Sequence, residues 1–264
     1  MRILIANDDG IYSPGIATLA RVARRFGDVR IVAPDVEQSS AGHAISSSKP
    51  LTYRRTRVID DIESYRVNGT PADCVALGAH HWETVDVVLS GINLGPNLGN
   101  AIWHSGTLAA AKQAALLGLR GIALSTPVDG EDPDVSHLEP HVERVLELLL
   151  PNERLRLVNV NFPPEPTGIR WTRQAVEQYD GKVVPSTDPM GRQHFWFTVF
   201  PLERHEPGTD LWAMQQGLVS ITPLRLDLTD HDALAEAAAR DPVPNGPTEP
   251  VAPARSAAPA RPGR

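Results

Sequence analysis

The sequence predicts an α/β protein with a mostly parallel, doubly wound sheet, and three observations carry that prediction. Short apolar runs without polar alternation recur along the first 160 residues, as strands buried on both faces require. Helical patterns separate these runs, which is the βα repeat of a parallel sheet. Polar segments rich in Gly, Asn and Ser follow the runs, where an open α/β sheet places its ligand sites.

The elements follow in order. Residues 2–6 (RILIA) are a strand, and IATLARVARRF (16–26) is an amphipathic helix. VRIVAP (29–34) is a second buried strand stopped by Pro34, followed by a long polar loop at 37–50. Residues 51–69 read as one or two short antiparallel pieces. Thr70 and Pro71 then open a helix that runs to about Trp82, as N-cap and first-turn residue. Residues 85–93 are strand, 105–118 helix, 121–126 strand, 137–150 helix and 155–163 strand. Beyond Pro163, turn signals (YDGK, DPMGR) within aromatic and alternating patterns over 169–200 predict an extended hairpin. A short helix at 208–217 and a strand within 218–230 follow. This divides the chain into an α/β core (1–163), a hairpin arm with a returning helix and strand (164–232), and an Ala/Pro-rich, disordered tail (233–264).

Composition bounds the function. With 264 residues the chain can bury a substantial core, and a net charge of −7 argues against a nucleic-acid or membrane-surface binder. Cys74 is the only cysteine, so no intrachain disulfide forms; its setting places it on the buried side of a helix. No apolar stretch approaches the ~18–20 residues of a membrane span, and no leader pattern precedes the first strand. A cytoplasmic protein is expected.

Four polar clusters fall at the carboxyl ends of strands: Asn7-Asp8-Asp9, the Gln38-Ser39-Ser40 loop, Ser90-Gly91-Ile92-Asn93 with Asn97, and His104-Ser105-Gly106-Thr107. In a parallel sheet these ends share one edge. Adjacent carboxylates repel, so a site that keeps both ionised supplies a cation or strong donors. Asp8, Asp9, Ser39 and Asn93 form an all-oxygen donor set suited to Mg²⁺, Mn²⁺ or Ca²⁺ rather than zinc. Plainer readings stand beside these: a turn or capping pair for Asp8-Asp9, a left-handed turn for Asn93, ordinary N-capping for Ser105. The start of the helix at Ser105–Thr107, with small side chains and free N–H groups, also suits phosphate oxygens. A metal beside a phosphate cradle implies phosphoryl transfer to water. His43 and His104 are the two histidines placed near the clusters.

At these residues the chain resembles the SurE (survival protein E) family of metal-dependent 5′/3′-nucleotidases. The resemblance runs through ILIANDDGIYSPGI, VAPDVEQSSAGHAI, VNGTPADCV, DVVLSGINLGPNLG, SGTLAAAKQA, TDPMGRQHFWF and GTDLWAMQQGLVSITPLRLDLT, in the family's order over about residues 1–230. It implies a three-layer α/β/α domain with one Mg²⁺ or Mn²⁺ on Asp8, Asp9, Ser39 and Asn93. It implies phosphate binding by Ser105, Gly106 and Thr107 with Asn97 nearby, and catalysis through Asp8 and Asp9. The implied substrates are nucleoside 5′- and 3′-monophosphates, with short polyphosphate for some members. The implied assembly is a homodimer or homotetramer in which the hairpin reaches a neighbour. Two departures stand out. Ser40 replaces the family's usual Gly, which strains the backbone if that position needs positive φ, and Trp103-His104 stands where a Tyr is more common.

Rival chemistries are a haloacid-dehalogenase-type phosphatase, whose two carboxylates are spaced DxD rather than adjacent, and a metal-dependent nucleoside hydrolase. A non-enzymatic dinucleotide-binding module would need a GxGxxG turn after the first strand, which is lacking.

Overall fold

The computed structural model describes residues 1–128, 130, 133–176, 181–199 and 205–240. The described residues divide into two units, one up to Leu226 and one from Asp227.

The first unit is a three-layer α/β/α fold. Its sheet has nine strands in the order β3-β4-β2-β1-β5-β6-β7-β11-β8. The strands are β1 (Arg2–Ala6), β2 (Asp28–Pro34), β3 (Tyr53–Thr56), β4 (Glu63–Val67), β5 (Val87–Leu94), β6 (Arg120–Thr126), β7 (Leu157–Asn161), β8 (Gly168–Trp171) and β11 (Leu218–Pro223). The six central strands from β4 to β7 are parallel, β3 and β11 pair antiparallel to β4 and β7, and β8 runs parallel to β11.

Alternation along β1 explains the layers. Ile3 and Ile5 pack with Ile16, Leu19, Val142 and Val145, beneath helices α1 (Pro14–Ala23) and α4 (Glu139–Leu149). Leu4 and Ala6 face the other way, onto Cys74, Val75, Ala110 and Ala114 of α2 (Pro71–His81) and α3 (Gly106–Leu116). Both faces of β1 are therefore apolar, as its sequence demands. Cys74 is fully buried, and burial holds its thiol well above its ordinary pKa.

Local signals set most boundaries. Ser13 caps α1 and Pro14 starts it, two residues ahead of the apolar periodicity. Thr70 and Asp73 form a capping box on α2: Asp73 N–H donates to Thr70 Oγ1 at 3.1 Å, and Thr70 N–H to Asp73 Oδ2 at 2.9 Å.

Beyond Pro163 the chain returns to the same sheet. Residues 168–171 belong to its edge and not to the hairpin, because β8 finds a partner in β11. The hairpin proper joins β9 (Gly181–Thr187) to β10 (Gln193–Val199). Asp188 closes its turn by accepting from the N–H groups of Met190 and Arg192, both at 2.9 Å. Of the expected YDGK turn, residues 179 and 180 lie outside the described residues, and Gly181 and Lys182 open β9. Helix α5 (Asp210–Gln215) leads into β11.

In the second unit residues 233–240, expected as part of a disordered tail, belong to helix α6 (His231–Arg240). Its Ala-rich composition and an Asp230 carboxylate that accepts from Ala233 N–H account for it, and none of its residues is buried. The rest of the expected tail, 241–264, lies outside the described residues. Among the described residues no helix is long and apolar enough to cross a membrane.

Close backbone approach aligns α1 with the sheet. A Cβ at Gly15 would lie 1.9 Å from the Ile92 carbonyl oxygen, so the helix reaches β5 only because this residue has none. Gly15→Ala is expected to lower unfolding free energy by about 2–3 kcal/mol, the upper range for overpacking a close contact, measured by urea titration.

Candidate active site

Three strand ends and one helix start build a single cleft at the carboxyl edge of the parallel sheet. The cleft, about 570 Å³, is lined by Asp8 and Asp9 after β1, Glu37, Ser39 and Ser40 after β2, Asn93, Leu94, Pro96 and Asn97 at the end of β5, and Ala101, His104 and Ser105 before α3. A second cleft of about 490 Å³ adjoins it across Asp9, Glu37 and Leu94, walled by Tyr12, Asp35, Val36 and Val128.

Asp8 is the buried member of the carboxylate pair, 4% exposed. Thr107 donates its hydroxyl to Asp8 Oδ1 at 2.6 Å, and the Gly106 and Thr107 main-chain groups at the start of α3 also stabilise the carboxylate. Burial nevertheless outweighs these donors and raises the Asp8 pKa. Asp9 is more open. Its Oδ2 accepts from Leu94 N–H at 3.2 Å, while burial and then the charge of Asp8 push its pKa up to about 7. Two carboxylates driven toward protonation by burial and by each other fit a divalent cation, whose charge would favour both ionised forms.

The remaining donors are neutral oxygens. Ser39 Oγ–H donates to Glu37 Oε1 at 2.6 Å and keeps its lone pairs. Asn93 donates its amide to Gly95 O at 2.6 Å, which leaves Oδ1 as its free acceptor. Among the described residues no three Asp, Glu, His or Cys side chains converge as a metal-holding group, so a cation here would take hydroxyl and amide oxygens alongside the two aspartates.

The 37–50 loop is fastened along its length. Gln38 N–H donates to Asp8 O at 2.7 Å and Gly42 N–H to His104 O at 3.1 Å. Thr70 Oγ1–H donates to Ala44 O at 2.7 Å, and Ser46 N–H to Asp73 Oδ1 at 3.0 Å. Ser40 takes φ = 59°, the left-handed conformation anticipated for the residue that stands in place of Gly.

The sequence-predicted residues do not all meet. Asp8, Asp9, Ser39, Asn93, Asn97 and Ser105 share the cleft, and so does His104. Gly106 and Thr107 lie behind Asp8 instead. A Cβ on Gly106 would stand 2.7 Å from Asp8 Cβ, and the Thr107 hydroxyl is committed to the carboxylate. His43 bonds Gln113 on α3 at 2.9 Å, away from the cleft lining.

Sequence reasoning missed Asn159 and Asn161 on β7. Both are buried, and both donate side-chain amides to Asn97 O, at 2.8 and 3.0 Å. The signal was present in LVNVN: two amides alternating on one face of an otherwise apolar strand.

The fold and cleft define a class: an α/β/α protein with a hard-oxygen, acid-rich site at the carboxyl edge of its parallel sheet. Comparison with known proteins makes it specific. The family described as "Survival protein SurE" matches residues 3–181. A 5′-nucleotidase SurE 1 of Thermus thermophilus is 45% identical over 241 residues, covering 89% of this chain and 95% of that protein. A 5′-nucleotidase SurE of Deinococcus radiodurans is 43% identical, covering 89% and 91%. The crystal structure of the SurE protein from Aquifex aeolicus superposes with a TM-score of 0.78 at 36% identity, over 91% of this chain and 99% of that one. The chain belongs to the SurE family.

Two predictions follow from the site. Ser40→Gly is expected to raise unfolding free energy by about 1 kcal/mol, because it removes the left-handed penalty; urea unfolding reads this. The raised Asp9 pKa gives the second. Between about pH 4 and 7 the folded, metal-free protein binds a proton at Asp9 that the unfolded chain has lost. Its stability therefore falls as pH rises through that window. In EDTA, the difference in Tm between parent and Asp9→Asn should change across pH 4–7, with the parent losing more on the alkaline side.

Proposed function

We propose that this chain, a 5′-nucleotidase of the SurE family, hydrolyses nucleoside 5′-monophosphates, and also 3′-monophosphates, to nucleoside and phosphate. One Mg²⁺ or Mn²⁺ per subunit, held by Asp8, Asp9, Ser39 and Asn93, is part of the proposal. The observation that carries it is convergence. Three segments far apart in sequence, at 8–9, 37–40 and 93–97, bring two aspartates and several neutral oxygen donors into one cleft, beside the start of α3. The names of the relatives supply the substrate class.

When bound, the cation supplies a Lewis acid for the phosphoryl oxygens. The chain's own residues do the rest. Asp9, the more open carboxylate and the one bordering both clefts, accepts a hydrogen bond from the attacking water and orients it. Asp8 is held in place by Thr107 and Gly106. Ser105 faces the phosphoryl group at the cleft surface, where the positive end of α3 favours its charge. Other phosphomonoesters and short polyphosphate present the same terminal group and fall within the proposal.

The assembly proposed is a homodimer or homotetramer. Val184 and Trp196 are exposed on one face of the β9–β10 hairpin and Val183 and Phe195 on the other, apolar side chains that a second copy would cover. The acidic, single-cysteine composition suits the reducing cytoplasm.

The test is phosphate release from AMP and its 3′ isomer with EDTA, Mg²⁺ or Mn²⁺. Release only with metal is expected, and Asp9→Asn should lower kcat by at least ~100-fold while leaving the protein folded. Release of free base instead of phosphate, or full turnover in EDTA, would overturn the reading.

A further inference from the structure

Behind the cleft a line of hydrogen bonds runs from β7 to Asp8, and its directions can be assigned. Thr107 has one hydroxyl proton, and it goes to Asp8 Oδ1 at 2.6 Å. The Asn97 amide atom 3.2 Å from Thr107 Oγ1 must therefore be the donor, Nδ2, which also donates to Ser125 Oγ at 2.8 Å. Both amide protons of Asn97 are thereby committed inward. Asn97 is 7% exposed and lines the cleft, and among the described residues its Oδ1 has no partner. It presents an acceptor to the cleft, not a donor.

What holds Asn97 in this pose is Asn161. Asn97 N–H donates to Asn161 Oδ1 at 2.8 Å, and Asn161 Nδ2 donates back to Asn97 O at 3.0 Å. One side-chain amide thus clasps both main-chain groups of one residue, and the pairing fixes which way the Asn161 amide faces. Asn159 adds a second donor to the same carbonyl at 2.8 Å. Asn161 itself is fully buried and does not line the cleft.

We propose that Asn161 is a positioning residue of this site. Its clasp on Asn97 turns the Asn97 amide protons onto Thr107 and Ser125 and the Asn97 oxygen toward the cleft, and through Thr107 it orders Asp8. The inference rests on the proposed metal-dependent hydrolysis. Asn97 then serves as an acceptor, for water or another hydrogen-bond donor, and does not donate to phosphate oxygens.

Asn161→Asp keeps the acceptor for Asn97 N–H but sets an oxygen against Asn97 O; Asn161→Leu removes both bonds and keeps the branched shape in a somewhat larger side chain. Ser125→Ala, a smaller change, removes one acceptor of the Asn97 amide and remains decisive if the Asn161 variants do not fold. Three quantities are measured on folded protein well below its Tm: Mn²⁺ affinity from free-Mn²⁺ EPR, kcat, and KM for AMP. Loss of outer-shell support should lower kcat tenfold or more and weaken Mn²⁺ binding at least fivefold in the Asn161 variants. Ser125→Ala should move kcat the same way, by threefold or more. A purely structural role would lower Tm alone, and kcat and Mn²⁺ affinity within twofold of the parent in every folded variant would overturn the proposal. A parent that neither binds Mn²⁺ nor releases phosphate would instead overturn the functional reading.

Discussion

The constraint on which the rest of this structure turns is the placement of two adjacent carboxylates at the end of a strand buried on both faces. β1 has no freedom to move them outward, because Ile3 and Ile5 are locked into one helical layer and Leu4 into the other. Burial alone costs a carboxylate its hydration, and the neighbouring charge adds to that cost. Neutral hydrogen bonds cover part of it. Thr107, Gly106 and Leu94 all contribute, yet both groups remain shifted upward, Asp9 to about 7. Such a pair is what the proposed divalent cation would relieve, by favouring both ionised forms.

The scaffold meets this demand by bringing backbone close. Gly106 allows α3 to press its first turn against Asp8, where a Cβ would be 2.8 Å from Oδ2. Gly121 lets β6 pass beneath Ala111 of the same helix, where a Cβ would lie 2.1 Å from its carbonyl oxygen. Gly15 does the same between α1 and β5. These three contacts set the heights of α1 and α3 above the sheet, and hence where Asn93 and Ser105 stand relative to the aspartates. Small residues at these positions therefore belong to the site as much as its polar groups do.

Most of this was legible in sequence because it is local. Apolar runs marked the parallel strands, Thr70-Pro71 marked a helix start, and DPMGR marked the hairpin turn. Asp8, Asp9, Ser39, Asn93, Asn97 and Ser105 could be grouped because parallel strand ends must share an edge. The rest depended on direction, which sequence does not encode. Gly106 and Thr107 open a helix at the right place for phosphate, but the helix start leans on Asp8. Asn159 and Asn161 looked like strand residues because their partner, the Asn97 main chain, is more than sixty positions away. Residues 168–171 carried a hairpin-like pattern and were captured by β11, a choice made by tertiary pairing. Helix α6 was hidden by the proline-rich composition that follows it.

The direction of α3 has a consequence for charge. A helix start facing an open cleft would offset phosphate directly; here its first N–H groups are engaged with a carboxylate. The cleft then presents Asp8, Asp9 and Glu37 to an incoming dianion, with Ser40, His104, Ser105 and the residual field of α3 on the favourable side. Under the proposed reaction, a divalent cation is needed to make the cleft hospitable to phosphate as well as to promote hydrolysis. Substrate affinity and metal occupancy are then coupled through the same two aspartates, and each strengthens the other. The energetic work that a phosphate cradle performs in other folds is shifted onto the carboxylate pair. On the proposed reading, two like charges stand side by side in a buried strand end because together they hold the cation that receives the phosphate.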